Sequence, residues 1–203
     1  MPKNDEIKKR WDSMYKDLPP EELPWEAGRP DSDLVELVNK KKIKKGRILD
    51  ICAGLGTHSI YLAKKGFEVS GIDISPTAVE KAGERCRAEG LKCDFISGNA
   101  VRLKYPDNHF TFVFDRGCFH HIPVEDRENF VRGVHRVLEP SGRYHLSCFS
   151  YKNGPGWNHF TEKQLRDYFG SYFKIEYIKE AVYVEPPTRQ KIYFYKAFMT
   201  KRD

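Results

Sequence analysis

At 203 residues the chain can bury one sizeable core and at most a small appendage. Hydrophobic residues at 39% and charged ones at 32% describe a globular protein with a heavily charged surface. No apolar stretch approaches the length of a membrane span, and Met1-Pro2-Lys3-Asn4-Asp5-Glu6 is unlike a signal peptide, so a cytoplasmic location is expected.

Five cysteines (Cys52, Cys86, Cys93, Cys118 and Cys148), odd in number and without a CxxC pair, argue against a disulfide framework or a zinc ribbon and are expected as thiols. The net charge of +6 gathers in Lys8-Lys9-Arg10 and in the run from Lys40 to Arg47. Such runs can meet nucleic acid, but no aromatic residues interleave this one to stack bases. A solvated helix end, favourably placed beside its own C-terminal dipole, is the simpler reading.

In chain order, Ile7, Trp11, Met14 and Tyr15 fall at helical spacing and predict an amphipathic N-terminal helix. A proline-rich elbow runs from Pro19-Pro20 to Pro30, and Asp31 or Ser32 caps a second helix with Leu34, Val35, Leu37 and Val38 on its apolar face. Ile48 to Cys52 is a first strand, Thr57 to Lys65 a helix closed by Gly66, and Phe67 to Asp73 a second strand. Ser75-Pro76 starts a helix that runs to about Glu89. Lys92 to Ser97 is a third strand, followed by a short helical connection. The fourth strand, Phe110 to Phe114, is apolar on both faces as a central parallel strand should be. Phe130, Val131, Val134, Val137 and Leu138 make one helical face ended by Pro140 and Gly142. Tyr144 to Ser150 is a fifth strand. Thr161 and Gln164 form a capping box, stapled by Phe160 on Leu165. Alternation at Phe173, Ile175 and Tyr177, and again from Ile192 to Met199, closes the chain with an antiparallel pair.

This order predicts an α/β fold: a doubly wound, mostly parallel seven-stranded sheet with an antiparallel C-terminal strand and an N-terminal helical cover. One domain is expected, with a lid over 1–45, a cofactor-binding core over 46–150, and a C-terminal helix and strand pair over 151–203. Ligands on such sheets sit at the carboxyl ends of the strands. There the first apolar run stops at Asp50, a turn with Gly54 and Gly56 follows, and the second run stops at Asp73. Asp73, about twenty residues on, is placed to accept hydrogen bonds from two ribose hydroxyls. The third glycine of a dinucleotide fingerprint is replaced by Ser59, and no phosphate-cradling Gly-Lys-Ser/Thr is present. A carboxylate at Asp50 repels a pyrophosphate but suits a cofactor that carries a cationic amino acid.

Asp50-x-x-x-Gly54-x-Gly56, Asp73, Gly98-Asn99-Ala100, Asp115 at the end of the fourth strand, and Leu138-Glu139-Pro140-Ser141-Gly142 together resemble the class I S-adenosylmethionine-dependent methyltransferases. The resemblance implies S-adenosyl-L-methionine as cofactor and S-adenosyl-L-homocysteine as product. It also implies a role for each station. Gly54 and Gly56, in one turn with Cys52 and Ala53, let the backbone pass under the methionine moiety, and Asp50 orders that turn and helps hold the amino group. Asp73, with Ile74 beside it, takes the ribose; Asn99 and Ala100 meet the adenine edge; Asp115, Arg116 and Gly117 line the floor between cofactor and acceptor. Cys52 stands where many members have glycine, and Asn99 where many have aspartate.

Trp11-x-x-x-Tyr15 followed by Pro24-Trp25-Glu26-x-Gly28-x-Pro30 is similar to the subgroup of thiopurine, thiol and tellurite-resistance methyltransferases. That likeness implies that Trp11, Tyr15 and Trp25 fold over the cofactor and that the acceptor is a small molecule, a thiol or other soft nucleophile, with a small-molecule O- or N-methyltransferase as the alternative. If the acceptor must lose a proton, His120 or His121 is placed as general base by type and position. No third ligand is patterned beside the histidine pair, so no metal is expected. An amino-group methylase acting on nucleic acid favours Asn/Asp-Pro-Pro-Tyr/Phe after the fourth strand, where Asp115-Arg116-Gly117-Cys118 stands instead. A non-catalytic scaffold would tolerate decay of the glycine turn, and the turn is intact.

Overall fold

The computed structural model describes residues 2–156, 158–185 and 190–203. Two compact units, Met1–Ala100 and Val101–Asp203, are taken in turn. Among the described residues no helix is long and apolar enough to cross a membrane.

The first unit opens with α1 (Pro2–Asp17) and α2 (Ser32–Asn39). The Asp31 side chain accepts from Asp33 N at 2.9 Å, and Leu34 and Leu37 are buried, so the capping and apolar spacing read from the sequence both act. Three strands follow, β1 (Arg47–Ile51), β2 (Glu68–Asp73) and β3 (Asp94–Ser97), all parallel in the order β3-β2-β1. The crossover helices are α3 (Thr57–Lys64) and α4 (Pro76–Ala88). Ser75 caps α4 by accepting from Ala78 N at 3.0 Å, with Pro76 at the first turn, where a missing N–H costs nothing. The register pairs Ile51 with Ile72 and Asp73 with Ser97. All three strands therefore end at one edge, where the connections after β1, β2 and β3 gather.

The second unit holds β4 (Phe110–Arg116), α5 (Arg127–Val137), β5 (Leu138–Phe149), α6 (Glu162–Phe169), β6 (Phe173–Glu185) and β7 (Gln190–Lys201). The strands lie in the order β4-β5-β7-β6, with β4 and β5 parallel and β7 antiparallel to both β5 and β6. Phe110, Phe112, Val113 and Phe114 are all solvent-excluded, as a strand covered on both faces requires. The capping box of α6 is complete: Gln164 N donates to Thr161 Oγ1 at 3.2 Å and Thr161 N donates to Gln164 Oε1 at 2.8 Å.

Two local expectations change. The connection after β3 is a 3-10 turn, Ala100–Arg102, because Pro106-Asp107-Asn108 interrupts the chain before an α-helix can propagate. Leu138 belongs to β5 and pairs with Phe110. Pro140 disfavours helical backbone at the residue before it, so α5 stops at Val137, and the pairing then skips from Leu138 to Arg143. Cys86, Cys93 and Cys148 are free thiols. Cys52 and Cys118 are each disulfide-bonded, where the sequence reading expected thiols; spacing along a chain says nothing of which sulfurs approach bonding distance.

Candidate functional site

In the first unit the turn after β1 carries two left-handed glycines, Gly54 at φ +54° and Gly56 at φ +74°. A side chain at either position would be strained. Neither has room for one: a Cβ on Gly54 would lie 2.9 Å from the Tyr15 hydroxyl, and one on Gly56 would lie 2.9 Å from the Phe95 ring. Ala53 N donates to Ile72 O at 3.0 Å and Gly56 N to Ala53 O at 2.9 Å, which close the turn against β2. Cys52, the departure from the glycine pattern, sits at φ +56°. A side chain in that conformation costs about 1–2 kcal/mol, which is the physical reason glycine suits the position.

Asp73 braces this turn. Its Oδ2 accepts from Gly54 N and its Oδ1 from Ser75 N, each at 2.9 Å. Burial pushes its carboxyl upward, opposed by the backbone donors of Ser75, Gly54 and Ile74. Each carboxylate oxygen keeps a second lone pair for a further donor. The backbone of Asp73 also anchors the next station, since Gly98 N donates to Asp73 O at 2.8 Å. Half-buried Asn99 and buried Ala100 follow directly. Asp50 is fully buried and accepts from Ser59 Oγ at 2.7 Å. Burial pushes its carboxyl up to about 7, with the Ser59 hydrogen bonds pulling the other way. Ser59, read from the sequence only as a missing glycine, is thus the partner of the first acid.

The N-terminal segment lies on the same turn. Trp25 Nε1 donates to the Tyr15 hydroxyl at 3.0 Å, and Trp11 and Tyr15 both meet the Trp25 ring edge-on at centroid distances of 5.2 and 5.8 Å. Tyr15 packs with Leu23, Leu55 and Ala78 in one buried cluster. Burial, followed by the charge of Asp73, pushes the Tyr15 hydroxyl upward, so it stays protonated.

Polar hooks unseen in the sequence hold this segment. Asp12 Oδ1 accepts from Ser75 Oγ at 2.7 Å and from Thr77 N at 3.0 Å. Lys81 Nζ donates to Tyr15 O. Glu26 Oε1 accepts from Gly28 N and Thr57 Oγ1, both at 2.8 Å, and Arg85 donates to Leu55 O at 2.7 Å. Glu26 lies inside the Pro-Trp-Glu pattern, a signal present in the sequence without an assigned role. Asp12 has no such signal.

In the second unit Asp115 is solvent-excluded. Its Oδ1 accepts from Cys118 N at 2.8 Å and its Oδ2 from the Tyr144 hydroxyl at 2.9 Å. The carboxylate therefore shapes the turn carrying half-buried Arg116 and Gly117, whose N donates to Ser147 O at 2.9 Å. His120 and His121 lie on the 3-10 turn Phe119–His121 but differ in kind. His120 is buried, stacked on Phe149 at 3.9 Å, and its Nδ1 accepts from Phe149 N at 3.3 Å. Burial, then the neighbouring charge of His121, holds it well below the ordinary histidine range, so the neutral ring carries its proton on Nε2. His121 is exposed, its ring edge-on to that of His120 at 4.3 Å. A cleft of about 380 Å³ beside α5, with Arg102, Asp126, Arg132 and Arg136 in its lining, contains none of these residues.

Residues 48–142 match the family described as Methyltransferase domain. The chain is 27% identical to a 2-heptyl-1-hydroxyquinolin-4(1H)-one methyltransferase of Mycobacteroides abscessus, over 87% of this chain and 82% of the relative. It is 32% identical to a demethylmenaquinone methyltransferase of Listeria welshimeri, over 76% of this chain and 68% of the relative. A solved structure described as a SAM-dependent methyltransferase of Methanosarcina mazei is 26% identical and superposes with a TM-score of 0.71, over 81% of this chain and 96% of that one. The α/β fold expected from the sequence is therefore that of the methyltransferases, and S-adenosylmethionine is their cofactor. The chain belongs to the class I S-adenosylmethionine-dependent methyltransferases.

Proposed function

We propose that this enzyme transfers a methyl group from S-adenosylmethionine to a small molecule, with a thiol or other soft nucleophile as the first acceptor class. The observation that carries the reading is the braced turn. Two glycines without room for a Cβ lie between Asp50 and Asp73, and Tyr15, joined to Trp25 and through it to Trp11, packs against Gly54. Those features fit an adenosyl sulfonium carrying an α-amino group, because two buried acids beside the turn favour a ligand that carries positive charge. When bound, the cofactor supplies an electrophilic methyl group.

The chain's own residues bind, orient and shield the reactants. Asp73 keeps the turn in shape and offers its remaining lone pairs to ribose hydroxyls, while Asn99 and Ala100 border the adenine. Asp50 faces the amino group. The lid excludes water, which aligns the reactants and strips solvent from an anionic nucleophile. Where the acceptor must lose a proton, exposed His121 is the better base, because His120 presents an N–H. The domain plan of lid, cofactor-binding core and C-terminal strand pair is part of this proposal, with Asp115, Arg116 and Gly117 as the floor.

A second reading, an acceptor built on a ring, is favoured by the names of the quinolone and demethylmenaquinone relatives. A coupled S-adenosylhomocysteine assay over thiols, selenite, tellurite, arsenite, phenols, quinols and amines separates the two. Turnover with thiols supports the first reading; turnover confined to ring substrates replaces it with the second.

A further inference from the structure

We propose that Cys86 and Cys93 form a thiol–disulfide exchange site for low-molecular-weight disulfides, and that its oxidation is felt at the glycine turn. Cys86 lies buried in the last turn of α4, and half-buried Cys93 lies in the irregular segment before β3. Both are free thiols, and their sulfurs are 3.0 Å apart. A disulfide needs about 2.05 Å. The remaining contraction is small, and Cys93, outside any helix or strand, has the freer backbone to supply it.

The pair adjoins the cofactor turn through two routes. Cys93 Sγ lies 4.0 Å from Ser59 O, and Ser59 Oγ is the donor to Asp50. Two residues beyond Cys93, the Phe95 ring lies 2.9 Å from where a Cβ on Gly56 would stand and 2.5 Å from one on Gly71. Drawing Cys93 toward α4 shifts the start of β3, and with it the ring against which the turn is packed.

In the exchange, Cys93 loses its proton and its thiolate attacks one sulfur of the reagent, forming a mixed disulfide and expelling one thiolate, which takes up that proton. Cys86 then loses its proton and attacks Cys93 Sγ, and the second thiol departs. Two electrons pass from the protein pair to the reagent, which leaves as two thiols.

The test uses the full chain with oxidised glutathione at alkaline pH, because burial and the neighbouring Cys86 push the Cys93 thiol upward and exchange runs through the thiolate. The expected result is a peptide linked through Cys86 and Cys93, released by dithiothreitol. The oxidised protein should bind S-adenosylhomocysteine several-fold more weakly, with affinity restored on reduction. Cys93→Ser should abolish both responses, and Cys86→Ala should stop at the mixed disulfide on Cys93. Absence of the linked peptide from folded protein overturns the site, and a linked protein of unchanged affinity overturns its coupling to the turn. Reduced protein that binds no S-adenosylhomocysteine refutes the proposed function and leaves the linkage result standing.

Discussion

Replacing Asp73 by Asn separates a brace from a simple ligand. The amide keeps the shape of the carboxylate and one carbonyl oxygen, but its other arm becomes a donor. In the native protein both oxygens are used, one by Gly54 N and one by Ser75 N, at 2.9 Å each. The substituted amide serves one of these N–H groups and turns an NH2 toward the other, leaving a buried donor unsatisfied. A lost hydrogen bond to a charged group together with an orphaned donor costs about 2–4 kcal/mol. Removing a buried charge whose carboxyl is already pushed upward returns part of this. A net loss of roughly 2 kcal/mol is expected, seen as a lower urea midpoint at unchanged slope. Calorimetry should also show S-adenosylhomocysteine affinity at least about tenfold lower, a difference of about 1.4 kcal/mol, because both the turn and the ribose acceptor change. An Asp73→Asn protein with wild-type midpoint and wild-type affinity would refute the brace and the ribose role together.

Asp50 sets a second expectation. Its folded carboxyl is raised to about 7 from 3.8, so between those values the native state holds a proton that the unfolded chain has released. Stability should therefore fall by a few kcal/mol as pH rises from about 4 through 7, and Asp50→Asn should flatten that fall in urea midpoints. A cationic ligand lowers the same carboxyl, so cofactor binding near pH 6 should release protons, detectable by calorimetry in buffers of different ionisation enthalpy. Tyr15→Phe removes the acceptor of Trp25 Nε1 and should cost about 1 kcal/mol of thermal stability, with weaker cofactor binding; unchanged binding would release the lid from its role. Ser141 holds φ +60° on the surface, so Ser141→Gly should stabilise by roughly 0.5–1 kcal/mol in chemical unfolding. His121→Ala should lower kcat about 10–100-fold for an acceptor that must be deprotonated and spare one that is already anionic. Equal losses for both acceptors would argue for a structural role.

Repetition of period and punctuation made most of the fold readable. The apolar runs that end at Asp50 and Asp73, the Ser75-Pro76 start, the complete capping box at Thr161 and the closing antiparallel pair are local devices. They act within a few residues, so chain order alone reveals them. The tight turn after β1 and the acids that flank it were legible for the same reason, since glycines that hold positive φ and carboxylates that close a strand are marked by residue type alone. Pro140, by contrast, moved a helix end that periodicity alone had extended to Leu138.

What tertiary structure decided is which of these polar groups meet. Asp73 binds the backbone of the turn it follows, Ser59 turns from a missing glycine into the partner of Asp50, and Asp12 caps a helix more than sixty residues on. Two adjacent histidines of equal standing in the sequence become a buried acceptor of a backbone N–H and an exposed candidate base. Cys86 and Cys93, unremarkable in spacing, come within 3.0 Å. Hydrogen bonds and sulfur contacts act over a few ångströms in space, and the pairing of strands and helices, not distance along the chain, determines which groups come that close.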